Sequence, residues 1–186
     1  MKKESNALYI LRLALTLLII TGVMAAALAG VNAITADRIA AIEAEKTQAA
    51  LAKVLPGAED LTELPLTGDA GIVKAVYKPA DSSPVQGYAV QVAPAGFDGE
   101  ISMMVGIDEN GKVVAISIIS HTETAGLGAV AAADNAKGQA FRQQFAGKDS
   151  QLTVGSDIDA LTGATITSTA VTNGVNAAVE YVKNLK

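Results

Sequence analysis

The chain is 186 residues long, carries a formal net charge of −5 and contains no cysteine; it has room for one ordinary domain with an appendage, and disulfides, iron–sulfur clusters, thiolate-held metals and a cysteine-linked lipid anchor are excluded. Half of its residues are hydrophobic and its mean hydropathy is +0.33, high for a soluble domain, with much of the excess in the first 35 residues. Beyond Arg12 there are 11 basic and 18 acidic side chains, a net charge of −7 that argues against nucleic acid as a partner and against adhesion to anionic lipid.

Three basic residues, Lys2, Lys3 and Arg12, precede Leu13 to Val31, nineteen residues without a charged side chain. At 1.5 Å per residue a helix of that length spans roughly 28 Å, close to the ~30 Å hydrocarbon core of a bilayer, so the run crosses a membrane once. The basic residues ahead of it place the N-terminus in the cytoplasm, and Arg12 can extend its stem to the headgroups. Everything after about Asn32 is then outside. A cleaved signal peptide is the competing reading, because Ala27-Leu28-Ala29 imitates a cleavage site. The run exceeds the apolar core of such a peptide and meets no breaker stronger than Gly30, which favours a retained anchor.

From Ile34 to Leu55, the apolar residues Ile34, Ile39, Ala41, Ile42, Leu51, Val54 and Leu55 form a loose helical stripe among charged neighbours. With no proline before Pro56, this segment continues the membrane helix as a stalk, and nothing in it points to chemistry. Pro56-Gly57 ends it, and an acidic, proline-containing connector runs on to Gly71. Strand-like runs follow at Ile72 to Lys78, Tyr88 to Ala93, Ile101 to Ile107 and Val113 to Ile119, and Asn110-Gly111 predicts a hairpin between the last two. Helices are predicted from Gln139 to Phe145 and from Thr167 to Leu185. The second of these carries Val171, Val175, Ala178, Val179, Val182 and Leu185 on one face. The order of elements gives an α+β fold with a mainly antiparallel sheet and flanking helices. The expected divisions are a cytoplasmic N-terminus (1–12), a transmembrane helix (13–32), a helical stalk and connector (33–70) and an extracytoplasmic domain (71–186).

Two stretches are rich in groups suited to a ligand. Asp159 to Ser168 holds four hydroxyls, those of Thr162, Thr165, Thr167 and Ser168, around Gly163-Ala164. With Thr167 or Ser168 as helix cap, Thr165 lies in the turn just before a helix N-terminus, where free N–H groups and the helix dipole favour an anion such as a phosphate. By composition alone the stretch serves equally well as a cap that binds nothing. Ser120 to Gly128 follows a strand and contains His121, the only histidine. One imidazole with one carboxylate makes no metal site, and a lone histidine is more often structural than catalytic. A polar, glycine-rich loop at a strand end is nonetheless a usual place to receive a ligand.

Together these stretches carry a resemblance. Asp159-x-x-Thr162-Gly163-Ala164-Thr165 resembles the flavinylation motif of the FMN-binding domain family, and His121-Thr122-Glu123-Thr124-Ala125-Gly126-Leu127-Gly128 resembles its Glu-Thr-Pro-Gly-Leu-Gly loop. Gly96 to Ile101 and Phe141 to Lys148 are similar to further segments of it, so the likeness runs in order from about Gly71 to Leu185. The N-terminal anchor and the start Leu11-Arg12-Leu13-Ala14-Leu15 resemble the G subunits of Rnf-type ion-translocating electron transport complexes. The related C subunits of sodium-pumping NADH:quinone reductases, usually longer, are the close alternative. Ala125 stands where the family usually has proline, which leaves the loop less rigid, and Thr162 stands where serine is frequent, which keeps the hydroxyl.

The resemblance implies FMN esterified through its phosphate to Thr165 by a dedicated flavin transferase. Thr162, Gly163 and Ala164 would lie near the phosphate, and Glu123, Thr124, Gly126 and Leu127 on the flavin side. Asp159 would serve the attachment reaction, and Thr162 would support the turn. It implies an electron carrier in a redox-driven ion translocase, docked in the cell membrane beside integral partner subunits and not catalytic alone. Two other readings stay open: a noncovalent flavin-binding or flavin-reducing domain, and a cofactor-free membrane-anchored interaction module.

Overall fold

A computed structural model describes residues 6–68, 70–149 and 151–185, so Lys2 and Lys3 of the expected cytoplasmic segment lie outside the described residues. The chain divides into two compact units, one ending at Ala44 and one beginning at Glu45.

The first unit is helical. Helix α1 spans Asn6–Val54, and its large apolar side chains from Leu8 to Val31 are all exposed. Within that run the hydroxyls of Thr16 and Thr21 donate to the carbonyls of Arg12 and Leu17, at 2.8 and 2.9 Å, so they present no unmet donor to an apolar medium. Among the described residues this is the one helix long and apolar enough to cross a membrane.

The second unit is built on a five-stranded antiparallel meander, β1 (Thr62–Leu64), β2 (Val73–Lys78), β3 (Gly87–Val92), β4 (Ser102–Asp108) and β5 (Val113–Ser120), in that spatial order. Four of the strands fall on the predicted runs; β1, three residues long, was not anticipated. The predicted hairpin joins β4 and β5, with the Asp108 carboxylate accepting from the backbone N–H groups of Asn110 and Lys112 and Gly111 at φ +82°.

Side chains alternate across the sheet. Val90, Val92, Met103, Val105 and Ile107 face one core, which they share with Phe141, Phe145 and helix α3 (Thr165–Leu185). Ala89 and Met104 face the other way and pack with Ala50, Leu51, Val54 and Leu55. The end of the segment read as a stalk is therefore a core element. Gly106 permits it: a Cβ there would strike the Val54 carbonyl.

Helix α2 spans Ala136–Gln143, three residues earlier than predicted, because the Asn135 side chain caps it by accepting from the Gly138 N–H at 2.9 Å. A short 3-10 helix, Gly128–Ala131, follows the loop after β5. Helix α3 also starts early. Thr165 is its first residue rather than part of the preceding turn, and Ser168 N–H already bonds the Ala164 carbonyl at 3.0 Å. Thr167 and Ser168 thus sit inside the first turn, fully buried, and neither caps the helix. Ser168 Oγ instead accepts from Leu161 N–H at 3.0 Å and donates to the Ala164 carbonyl at 2.9 Å, bracing the turn from below.

Candidate functional site

The turn before α3 is shaped by Gly163 at φ +75°, a backbone that side chains disfavour, and it closes with Ala164 N–H on the Leu161 carbonyl at 2.9 Å. Ala164 is buried and Thr165, next in line, is exposed. Exposed Thr165 therefore stands at a helix N-terminus, where unpaired N–H groups favour an anion.

A cleft of about 330 Å³ opens beside Thr165, lined by Phe97, Glu123, Thr124, Leu127, Gly128 and residues 163–167. Outside α1, the large apolar side chains left exposed among the described residues are Leu66, Phe97, Val114, Leu127 and Ile166, and Phe97, Leu127 and Ile166 all rim this cleft. Exposed apolar side chains gathered on one cleft suit an apolar ligand in a way that the same side chains scattered singly do not. The volume lies at the lower end of the ~300–1,000 Å³ of small-molecule pockets, which suits a flat ring system bound with one side open.

Glu123 forms the floor and is only 7% exposed. Its Oε1 accepts from the backbone N–H groups of Phe97 and Asp98, at 2.8 and 3.3 Å, and its Oε2 accepts from Thr167 Oγ1 at 2.5 Å. Burial alone would push this carboxyl up. The hydrogen bonds from Thr167, Asp98 and Phe97, with His121 nearby, outweigh it and hold Glu123 below the ordinary glutamate value. Thr122 braces the same turn, its hydroxyl donating to the Asp98 carbonyl at 2.6 Å. His121 is half-buried, lines neither this cleft nor its neighbour, and its Nδ1 has no hydrogen-bond partner among the described residues.

The remaining expected residues divide. Glu123, Thr124, Leu127, Gly163, Ala164 and Thr165 come together on the cleft just described. Gly126, Asp159 and Thr162 line a second cavity of about 490 Å³ with Lys137, Gln144 and Leu161, and Leu127 borders both. Asp159 is fixed through its backbone, which exchanges hydrogen bonds of 2.7 and 3.2 Å with the Gln144 side chain. Thr162 is exposed and makes no side-chain hydrogen bond among the described residues, so the turn rests on Gly163 and Ser168 rather than on Thr162. Sequence reading placed Phe97, Gly128 and Ile166 within the stretches it quoted but gave them no role at the site, and placed Thr167 as a cap. The one available signal was Gly96-Phe97-Asp98-Gly99, a large apolar residue set in a turn.

Two family models match the chain: the FMN-binding domain over residues 96–180 and the RnfG N-terminal region over residues 1–54. The G subunit of the Na(+)-translocating ferredoxin:NAD(+) oxidoreductase complex of Acetobacterium woodii is 34% identical over 95% of this chain and 93% of its own length. The G subunit of the ion-translocating oxidoreductase complex of Methanosarcina acetivorans is 34% identical over 96% of this chain and 97% of its own. The G subunit of the proton-translocating ferredoxin:NAD(+) oxidoreductase complex of Clostridium ljungdahlii is 47% identical over 51% of this chain and 52% of its own. With a helix able to span a membrane, an α+β domain matching the FMN-binding model and full-length similarity of this kind, the chain belongs to the family of G subunits of Rnf-type ion-translocating oxidoreductase complexes.

Proposed function

We propose that the chain is the flavin-bearing electron carrier of an Rnf-type complex, with FMN esterified through its phosphate to Thr165. The observation that carries this reading is exposed Thr165, set at the first residue of α3 and lining a cleft rimmed by Phe97, Leu127 and Ile166. The helix N-terminus suits the phosphate, and the apolar rim suits the ring.

Attachment balances as a phosphoryl transfer. Thr165 Oγ attacks the flavin-side phosphorus of a flavin dinucleotide, the Oγ–P bond forms, the pyrophosphate bond breaks and the nucleoside monophosphate leaves. The hydroxyl proton passes to the flavin transferase. The product retains one negative charge, which a helix N-terminus stabilises by ~0.3–1 kcal/mol. Holding a free ligand at nanomolar affinity needs ~12 kcal/mol, so the covalent bond does what a shallow cleft cannot. FMN, once bound, supplies the redox chemistry; the chain's own residues orient it and shield one side.

Arg12 and the basic residues ahead of it put the N-terminus in the cytoplasm and the domain outside, beside integral subunits of the complex. The names of the relatives favour an Rnf-type assembly over a sodium-pumping NADH:quinone reductase. Flavin fluorescence in a denaturing gel tests the reading on protein made with its flavin transferase. The wild-type band is expected to fluoresce and Thr165→Ala to be dark; a bright Thr165→Ala band overturns the assignment.

A further inference from the structure

We propose that Glu123 is a positioning residue for flavin attachment, its carboxylate clamping the first turn of α3 to the Gly96–Gly99 turn so that Thr165 is held in one orientation toward the incoming phosphorus. The inference rests on Thr165 being the acceptor.

Three segments meet on this one side chain. Oε1 holds the Phe97 and Asp98 N–H groups and Oε2 holds the Thr167 hydroxyl. A Cβ on Gly96 would strike Oε1, and a Cβ on Gly128 would strike Oε2 and Thr167 Oγ1. The carboxylate thus occupies a slot that both glycines leave clear.

Three features separate the clamp from ordinary packing. First, burying a carboxylate is costly unless its lone pairs are met, and Glu123 has no ion-pair partner among the described residues. Its charge is met by donors from the elements it joins. Second, α3 begins after Ala164, which has no side-chain oxygen to cap the free N–H groups, so its first turn needs anchoring elsewhere. Third, successive helical residues turn by about 100°, so Thr165 and Thr167 point roughly 200° apart. Pinning Thr167 inward on Glu123 turns Thr165 outward, as their burial shows. The clamp also fixes the backbone of Phe97 on the opposite rim.

The test uses the full-length chain in detergent, incubated with FAD, Mg²⁺ and its flavin transferase, with covalent product followed by intact mass and kcat and KM measured for the chain as acceptor. Glu123→Ala is expected to lose about tenfold or more in kcat/KM, mainly in kcat, because the acceptor still docks but is no longer oriented. Thr167→Val, which removes only the Oε2 bond, is expected to lose several-fold. Glu123→Gln is expected to label at close to the wild-type rate, since its oxygen can accept from Phe97 and Asp98 and its NH₂ can donate to Thr167. Folded Glu123→Ala that labels like wild type, or Glu123→Gln as slow as Glu123→Ala, overturns the clamp. If Glu123→Ala does not fold, Thr167→Val decides, and labelling at the wild-type rate overturns the clamp. A wild-type chain that takes no flavin, or a Thr165→Ala chain that does, instead removes the acceptor assignment and the clamp with it.

Discussion

The two cavities on either side of Leu127 differ in the opposite sense to their size. The larger, about 490 Å³, is lined by exposed Lys137, Asp159 and Thr162 and by Gln144, whose amide is taken up by the Asp159 backbone. The smaller, about 330 Å³, has a buried carboxylate under three hydrogen bonds, an exposed threonine at a helix N-terminus and an apolar rim. Volume measures only space; the chemistry depends on groups held in fixed relation, and those are in the smaller cleft. The opening between α2 and the Asp159–Thr162 loop is lined in part by short side chains, Ala140 and Ala160 among them.

The two cavities should respond most differently to loss of the threonine hydroxyl on each side. Thr165→Ala is expected to abolish covalent flavin, while Thr162→Ala is expected to keep it, both read by intact mass; flavin lost equally in the two would make the cavities one site. Next in size is Gly128→Ala. Its methyl group would meet Glu123 Oε2 and Thr167 Oγ1, and overpacking of this kind costs about 1–3 kcal/mol, measurable by urea denaturation.

A smaller effect follows from the charge of Glu123. Its pKa is lowered from the ordinary 4.5 in the folded protein, so its contribution to stability is fully present above that value. It is lost as the pH falls through the lower native value. The stability advantage of wild type over Glu123→Gln, from denaturation between pH 7 and pH 3, is expected to shrink in that acidic window and stay flat above it. The smallest effect belongs to the other cavity: Lys137→Ala, at an exposed position, is expected to change stability by less than about 0.5 kcal/mol and to leave the flavin attached.

Much of this architecture is legible along the chain because it rests on local rules. An uncharged run of membrane length, alternation in β2 to β5, Asn110-Gly111 at a hairpin and a helical stripe from Val171 to Leu185 each follow from neighbouring residues alone. The Asp159 to Thr165 stretch was readable for the same reason, since it is continuous. The boundaries of α2 and α3 were not. Asn135 looks like a loop residue until Gly138 lies over it, and Ala164 offers no capping oxygen to mark a helix start. The stripe Leu51, Val54 and Leu55 was visible as a helix face, but its partners, Ala89, Met104 and the cleared space at Gly106, come from strands far along the chain.

Local rules alone prescribe a helix able to span a membrane, an antiparallel meander and a threonine beside a helix start, because propensity, periodicity and turn chemistry act over a few residues. Folding in three dimensions sets which hydroxyls are buried and which exposed, brings Glu123 to Phe97, Asp98 and Thr167, and gathers Phe97, Leu127 and Ile166 on one rim. Those relations join residues 25, 26 and 44 positions apart along the chain. They exist only once the sheet and α3 have closed around the carboxylate, whose burial leaves its charge no solvent to turn to and so ties the elements together.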